Sequence, residues 1–135
     1  MRIVIACLLL TGCASVPQKI VLSPTAENNL LFLHGNLRVE FAFCAYGDTT
    51  NDLIRVRRID LPTIYEASPV NVRYEVCKGK DLLGFGHSHV NSVCEFSEVD
   101  FHTMLTSDPP YGFLICKNKR FVWYSKREAK KASKP

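Results

Sequence analysis

No stretch of this chain is long enough and apolar enough to cross a membrane as a helix. Its first apolar run, residues 3–10, would span about 12 Å as a helix, against a hydrocarbon core of about 30 Å, and no later stretch does better. No internal repeat is present, so nothing points to a repeat array. A strong charge of either sign is also missing. The sequence carries 17 Lys+Arg against 13 Asp+Glu, a formal +4, and so small an excess gives no argument for nucleic-acid binding. Nor is there room for a second large domain in 135 residues. Apolar residues, by contrast, are not scarce. At 47% they are enough for a packed core, which excludes wholesale disorder. The six cysteines need an account, because their meaning depends on the redox compartment.

The first residues read as an address. Met1 and Arg2 precede the apolar run, and Leu10-Thr11-Gly12-Cys13 follows it. This order fits a short secretory signal, and the last four residues resemble the bacterial lipobox. That resemblance implies cleavage after residue 12, a lipidated Cys13, and a chain anchored in the bacterial cell envelope. Ala14 after the Cys points to the periplasmic face of the outer membrane. The expected organisation is a signal over 1–12, a lipidated tether over 13–22, one domain over 23–125, and a solvated basic tail over 126–135. That tail holds five positive charges and one negative.

Within the domain, Ser23-Pro24 is a helix-start signal. Ala26, Leu30, Leu33 and Leu37 recur at helical steps, which predicts a helix over about 24–34. Period-2 alternation predicts strands over 37–46, 53–59 and 70–76, the last with Val70, Val72, Tyr74 and Val76 inward. Residues 82–90 read as a buried strand containing Gly84 and Gly86, where a substrate strand could approach or neighbours could simply pack closely. A short helix over 97–106, with Val99, Met104 and Leu105 as candidate core, precedes two strands at 113–116 and 120–124. The fold class is α/β (α+β), a mixed sheet flanked by helices.

One constellation carries chemistry. His87 and His89 are two apart on a predicted strand, so both imidazoles point to one face and can reach one metal ion. Ser97 and Asp100 read as a capping box that places the carboxylate in the first turn of a helix. Two His and one carboxylate, with water in the fourth position, describe a catalytic zinc site. Structural zinc sites use several Cys instead.

His-x-His, seven residues, then Ser-x-x-Asp is met by His87, His89, Ser97 and Asp100, and it resembles the JAMM (MPN+) metalloproteases. Glu40 stands where that family carries an upstream Glu on its first strand, with Gly47 seven residues on. Glu66 and Glu75 are rival positions for that Glu. One follows a Pro-broken stretch and the other alternates outward. The family usually has Pro after the second His and before the Ser, and a Gly three after the Glu. Here those positions are Val90, Phe96 and Phe43.

The resemblance implies a zinc peptidase or isopeptidase-type amide hydrolase. Zn2+ would be held by His87, His89 and Asp100, metal-activated water would be the nucleophile, Glu40 the general acid/base, and Ser97 the donor to the oxyanion. An exported enzyme would act on peptide or protein substrates, cell-wall peptides included. The alternative is a catalytically weak or inactive metal-binding adaptor module of the envelope. Cys7 leaves with the signal and Cys13 takes the lipid. Cys44, Cys77, Cys94 and Cys116 remain, with three ways to pair as two disulfides. A bridge from Cys94 would stiffen the loop between His89 and Ser97.

Overall fold

The computed structural model describes residues 19–132. The expected signal over 1–12 and Cys13 lie outside the described residues. The elements in chain order are β1 (Lys19–Leu22), α1 (Pro24–Asn36), β2 (Ala42–Thr49), β3 (Leu53–Asp60), β4 (Ile64–Ser68), β5 (Asn71–Tyr74), β6 (Leu82–Ser88), α2 (Glu98–Thr106), β7 (Tyr111–Ile115), β8 (Phe121–Ser125) and α3 (Lys126–Ala132). Six strands form a mixed sheet in the order β1-β3-β2-β6-β7-β8, and β4-β5 is a separate hairpin. β1 with β3 and β6 with β7 are parallel pairs. The α+β class read from the sequence is therefore observed.

Both faces of the sheet are covered. Ala26 and Leu30 of α1 pack on Phe41, Phe43, Ile54, Val56 and Phe113. On the opposite face Met104 of α2 and Ala129 of α3 pack on Cys44, Phe85, Phe96 and Leu114. The strict alternation at 37–46 thus leads to two cores rather than one wet face, since Cys44 and Tyr46 are as buried as Phe43 and Ala45. Ser23 caps α1, its hydroxyl accepting from the Ala26 N–H at 3.2 Å.

Alternation fails at two bulges. The β2–β3 register slips between Tyr46 and Gly47, so Ile59 rather than Arg58 follows Ile54 and Val56 into the core. The β2–β6 register slips between Ala45 and Tyr46, which turns Leu83 onto the α1 face while Leu82 and Phe85 stay on the other.

Several expectations need correction. The tether's last four residues are β1, paired with β3 from Lys19↔Leu53 to Leu22↔Val56. The expected basic tail is instead helix α3 as far as residue 132. Ser125 and Glu128 form a reciprocal cap, with the Ser125 N–H donating to Glu128 Oε2 at 2.7 Å and the Glu128 N–H to Ser125 Oγ at 3.2 Å. Ala129 is then fully buried, so an apolar anchor outweighs the local charge density. β4 was not expected at all. The strand expected over 70–76 is only β5, with Val70 and Val76 exposed beyond its ends. Val99 is also exposed, because α2 docks through Phe101, Met104 and Leu105.

Gly84 and Gly86 serve packing rather than substrate approach. A Cβ on Gly86 would lie 2.3 Å from the Phe43 ring, and one on Gly84 would lie 2.0 Å from the Tyr111 carbonyl oxygen. The cysteines pair as Cys44–Cys77 and Cys94–Cys116, 33 and 22 residues apart. By loop-closure entropy each bridge stabilises by about 3–4 kcal/mol. We expect Gly86→Ala to cost about 1–3 kcal/mol through overpacking against Phe43. Urea unfolding reads this directly, and an unchanged midpoint would contradict the packing described.

Candidate metal centre

His87 is the penultimate residue of β6 and His89 lies just past its end. Both side chains leave the face that α2 covers, and both are buried. Their Nε2 atoms are 3.1 Å apart. Asp100 projects from the first turn of α2, with Oδ1 3.4 Å from His87 Nε2 and Oδ2 3.9 Å from His89 Nε2. The three donor atoms lie within 4.8 Å of one another. A tetrahedral zinc with ligands at about 2.0–2.1 Å spaces them by about 3.3 Å, so this trio fits one ion with small adjustments.

The surroundings hold the trio in this arrangement. His89 Nδ1 is 2.9 Å from the Val93 carbonyl oxygen. Only an Nδ1–H can bond there, which leaves Nε2 with its lone pair toward the site. Val93 sits beside Cys94, whose bridge to Cys116 ties this loop to the end of β7, and the His89 N–H donates to the Ile115 carbonyl at 3.0 Å. The loop-stiffening expected of Cys94 therefore has a definite beneficiary. The expected capping box is present: the Ser97 N–H and hydroxyl donate to Asp100 Oδ2 at 2.7 and 2.8 Å, and the Asp100 N–H donates back to Ser97 Oγ at 3.2 Å. In this state the Ser97 hydroxyl orients the Asp100 carboxylate.

Glu40 lies just upstream of β2 rather than on it. It is 5% exposed and lines the same cleft, of about 550 Å³, as His87, His89, Ser97 and Asp100. Its backbone is clamped. The Glu40 N–H donates to the Ser68 carbonyl at 2.8 Å. Next door, the Phe41 N–H donates to Ser88 Oγ and the Ser88 N–H to the Phe41 carbonyl, both at 2.9 Å. Ser88, between the two histidines, was not singled out from the sequence. Its signal was a polar residue alternating onto the apolar α1 face, where a buried hydroxyl needs a partner. The rival glutamates are elsewhere. Glu66 is exposed and pairs with Arg73, and Glu75 accepts from Thr63 and pairs with Lys78.

The carboxyls of Glu40 and Asp100 are driven apart. Burial raises Glu40 from 4.5 to about 7, with His87 lowering it and the charge of Asp100 raising it. Burial also pushes Asp100 up. Hydrogen bonding and charge from His87, with the Ser97 donors, outweigh this and hold it at about 2. One group is thus a fixed anion and the other a proton carrier near neutrality, which is the division that acid–base chemistry requires. Burial, with the charge of Asp100, also pushes the Tyr74 phenol up, so it faces the cleft protonated.

No family model matches the sequence, and no curated protein matches it. Solved structures do. A JAB1/MPN domain protein from Archaeoglobus fulgidus gives a TM-score of 0.50 at 16% identity, over 84% of this chain and 93% of that one. A structure described as a JAMM metalloprotease-like zinc site in the proteasome and signalosome gives 0.52 at 14% identity, over 84% and 91%. At such identities the likeness is one of fold, and the chain has the JAB1/MPN fold.

The raised Glu40 has a consequence for the metal-free protein. The unfolded chain releases this proton near pH 4.5 and the folded one near pH 7. Between these values the folded state binds more protons, so stability falls as pH rises through the window. With a chelator present, wild type is expected to lose about 3 kcal/mol more than Glu40→Gln between pH 4 and pH 8. Urea titrations at the two pH values check this, and parallel behaviour would mean an ordinary carboxyl.

Proposed function

We propose that the chain is a JAMM-type zinc peptidase or isopeptidase-type amide hydrolase of the bacterial envelope. The observation that carries this reading is the convergence of His87, His89 and Asp100 within 4.8 Å, in one cleft with the buried Glu40. The fold supports it, since one structure sharing that fold is described by its metalloprotease-like zinc site.

His87, His89 and Asp100 would hold the ion, which supplies Lewis acidity and a nucleophile at neutral pH. Glu40 takes a proton from the attacking water. As the carbon–nitrogen bond breaks, Glu40 passes that proton to the departing amine, and the acid product keeps the water oxygen. The burial of Glu40 in the cleft, which raises its proton affinity in the metal-free protein, suits a group that must take up a proton and release it. Ser97 turns its hydroxyl from Asp100 Oδ2 to the oxyanion that develops on the former carbonyl. Outside the cleft, residues 1–12 act as the signal and the lipid on Cys13 anchors the chain to the membrane. Two disulfides among the described residues support an oxidising compartment such as the periplasm.

Purified protein is expected to hold about one zinc per chain. His89→Ala should lose the metal. Glu40→Gln should keep it and lose turnover by about 10²–10⁴-fold. Zinc bound with no hydrolysis by wild type on any peptide tried would leave the adaptor module as the function.

Ser97→Ala separates positioning from catalysis. At saturating zinc we expect kcat to fall by about 10²-fold. If kcat recovers fully and only zinc affinity suffers, Ser97 does no more than orient Asp100.

A further inference from the structure

Ten large apolar residues are exposed among those described, and four of them line a single cleft. Val70 is 75% exposed, Val76 76%, Val93 49% and Val99 70%. They come from the β4–β5 turn, the segment after β5, the loop carrying the Val93 carbonyl, and the first turn of α2. All four line the cleft that holds the metal centre. Three of them were expected in the core, yet each stands on the rim of a cleft where a ligand would cover it. Apolar surface gathered around a cleft from separate segments marks a binding surface, not scatter.

Charge narrows the occupant. Among the described residues lining the cleft, Arg73 is the one Lys or Arg, and it pairs with Glu66 at 3.3 Å. Glu40, Glu95 and Asp100 bring negative charge. Away from the metal position, a ligand rich in carboxylates would find no unpaired Lys or Arg among the described lining residues, so its outlying charges would gain little compensation.

Resting on the peptidase reading above, we propose that the substrate is a polypeptide segment with bulky apolar side chains beside the cleaved bond. An unfolded or extended region of an envelope protein fits this description, and an acidic cell-wall stem peptide does not. The valine rim would seat those side chains, and the acidic groups would disfavour carboxylates nearby.

Binding tests this independently of turnover. Zinc-loaded Glu40→Gln is titrated by fluorescence polarisation with labelled peptides carrying Leu, Val or Phe at two neighbouring positions, and with matched peptides carrying Asp or Glu there. An acidic stem peptide is a third probe. We expect the apolar peptides to bind at least about 10-fold more tightly. Val76→Ser and Val99→Ser should each weaken them several-fold without changing zinc content, and both sites are exposed enough to leave folding intact. Equal binding of apolar and acidic probes, no binding of the apolar probes, or preference for the stem peptide would overturn the inference. Wild-type turnover is read separately. Apolar preference without hydrolysis would sink the peptidase reading and leave the rim as a binding surface.

Discussion

The parallel pairing of β6 with β7 is the constraint on which the site depends. Two parallel neighbours cannot be joined by a tight turn, so the chain must leave the end of β6 and return across one face. The register from Gly84↔Tyr111 to Ser88↔Ile115 fixes where that crossing begins, next to His87. The crossing segment is the loop that carries Val93 and Cys94, followed by α2. It therefore lies over the face from which His87 and His89 project. Asp100 reaches the histidines because the N-terminus of the crossover helix is aimed at the end of the strand it crosses. Gly84 and Gly86 maintain the same geometry from below, since a side chain at either would strike Tyr111 or Phe43.

Bringing His87, His89, Glu40 and Asp100 into one partly dry cleft costs solvation, and the fold offsets this group by group. Asp100 keeps its charge through its contact with His87 and two hydrogen bonds donated by Ser97. His89 keeps one tautomer through Val93. Ser88 lies between the histidines but faces the opposite core, where Phe41 satisfies it. This pair of hydrogen bonds also fixes the segment that carries Glu40. Glu40 itself is offered least compensation, and its raised pKa is the result. The poorly solvated carboxyl is thus a product of the same packing that places it beside the histidines.

What could be read in the sequence follows from this layering. The His87/His89 pair and the Ser97–Asp100 cap were legible because strand and helix-start periodicities are local. The fold class was legible for the same reason. Strand β4 was not, because four of its five residues are exposed and show no burial pattern. Helix α3 was hidden by its charge, although Ser125 and Glu128 spelled out its cap. Val70, Val76 and Val99 were read as core because periodicity reports which residues share a face, not what covers that face. Strict alternation from Ile54 and Val56 would put Ile59 on the other face, and a bulge at the β2–β3 pair turns it into the same core. The disulfide pairing and the role of Ser88 depend on contacts between distant segments, which no local pattern encodes.

The departures from the JAMM pattern at Val90 and Phe96 bear on the loop between them. Proline stiffens a loop by restricting its backbone, and this chain restrains the same loop by other means. Phe96 is buried, with its ring centroid 5.8 Å from that of His87, 5.5 Å from that of Phe101 and 4.5 Å from that of Tyr124. Two residues earlier, Cys94 is bonded to Cys116. The loop is therefore pinned at Cys94 and Phe96, immediately before Ser97. A covalent pin of this kind holds only where thiols stay oxidised. Site geometry is in this way tied to redox state: with Cys94–Cys116 reduced, the loop that leads to Ser97 and Asp100 would lose one of its two pins.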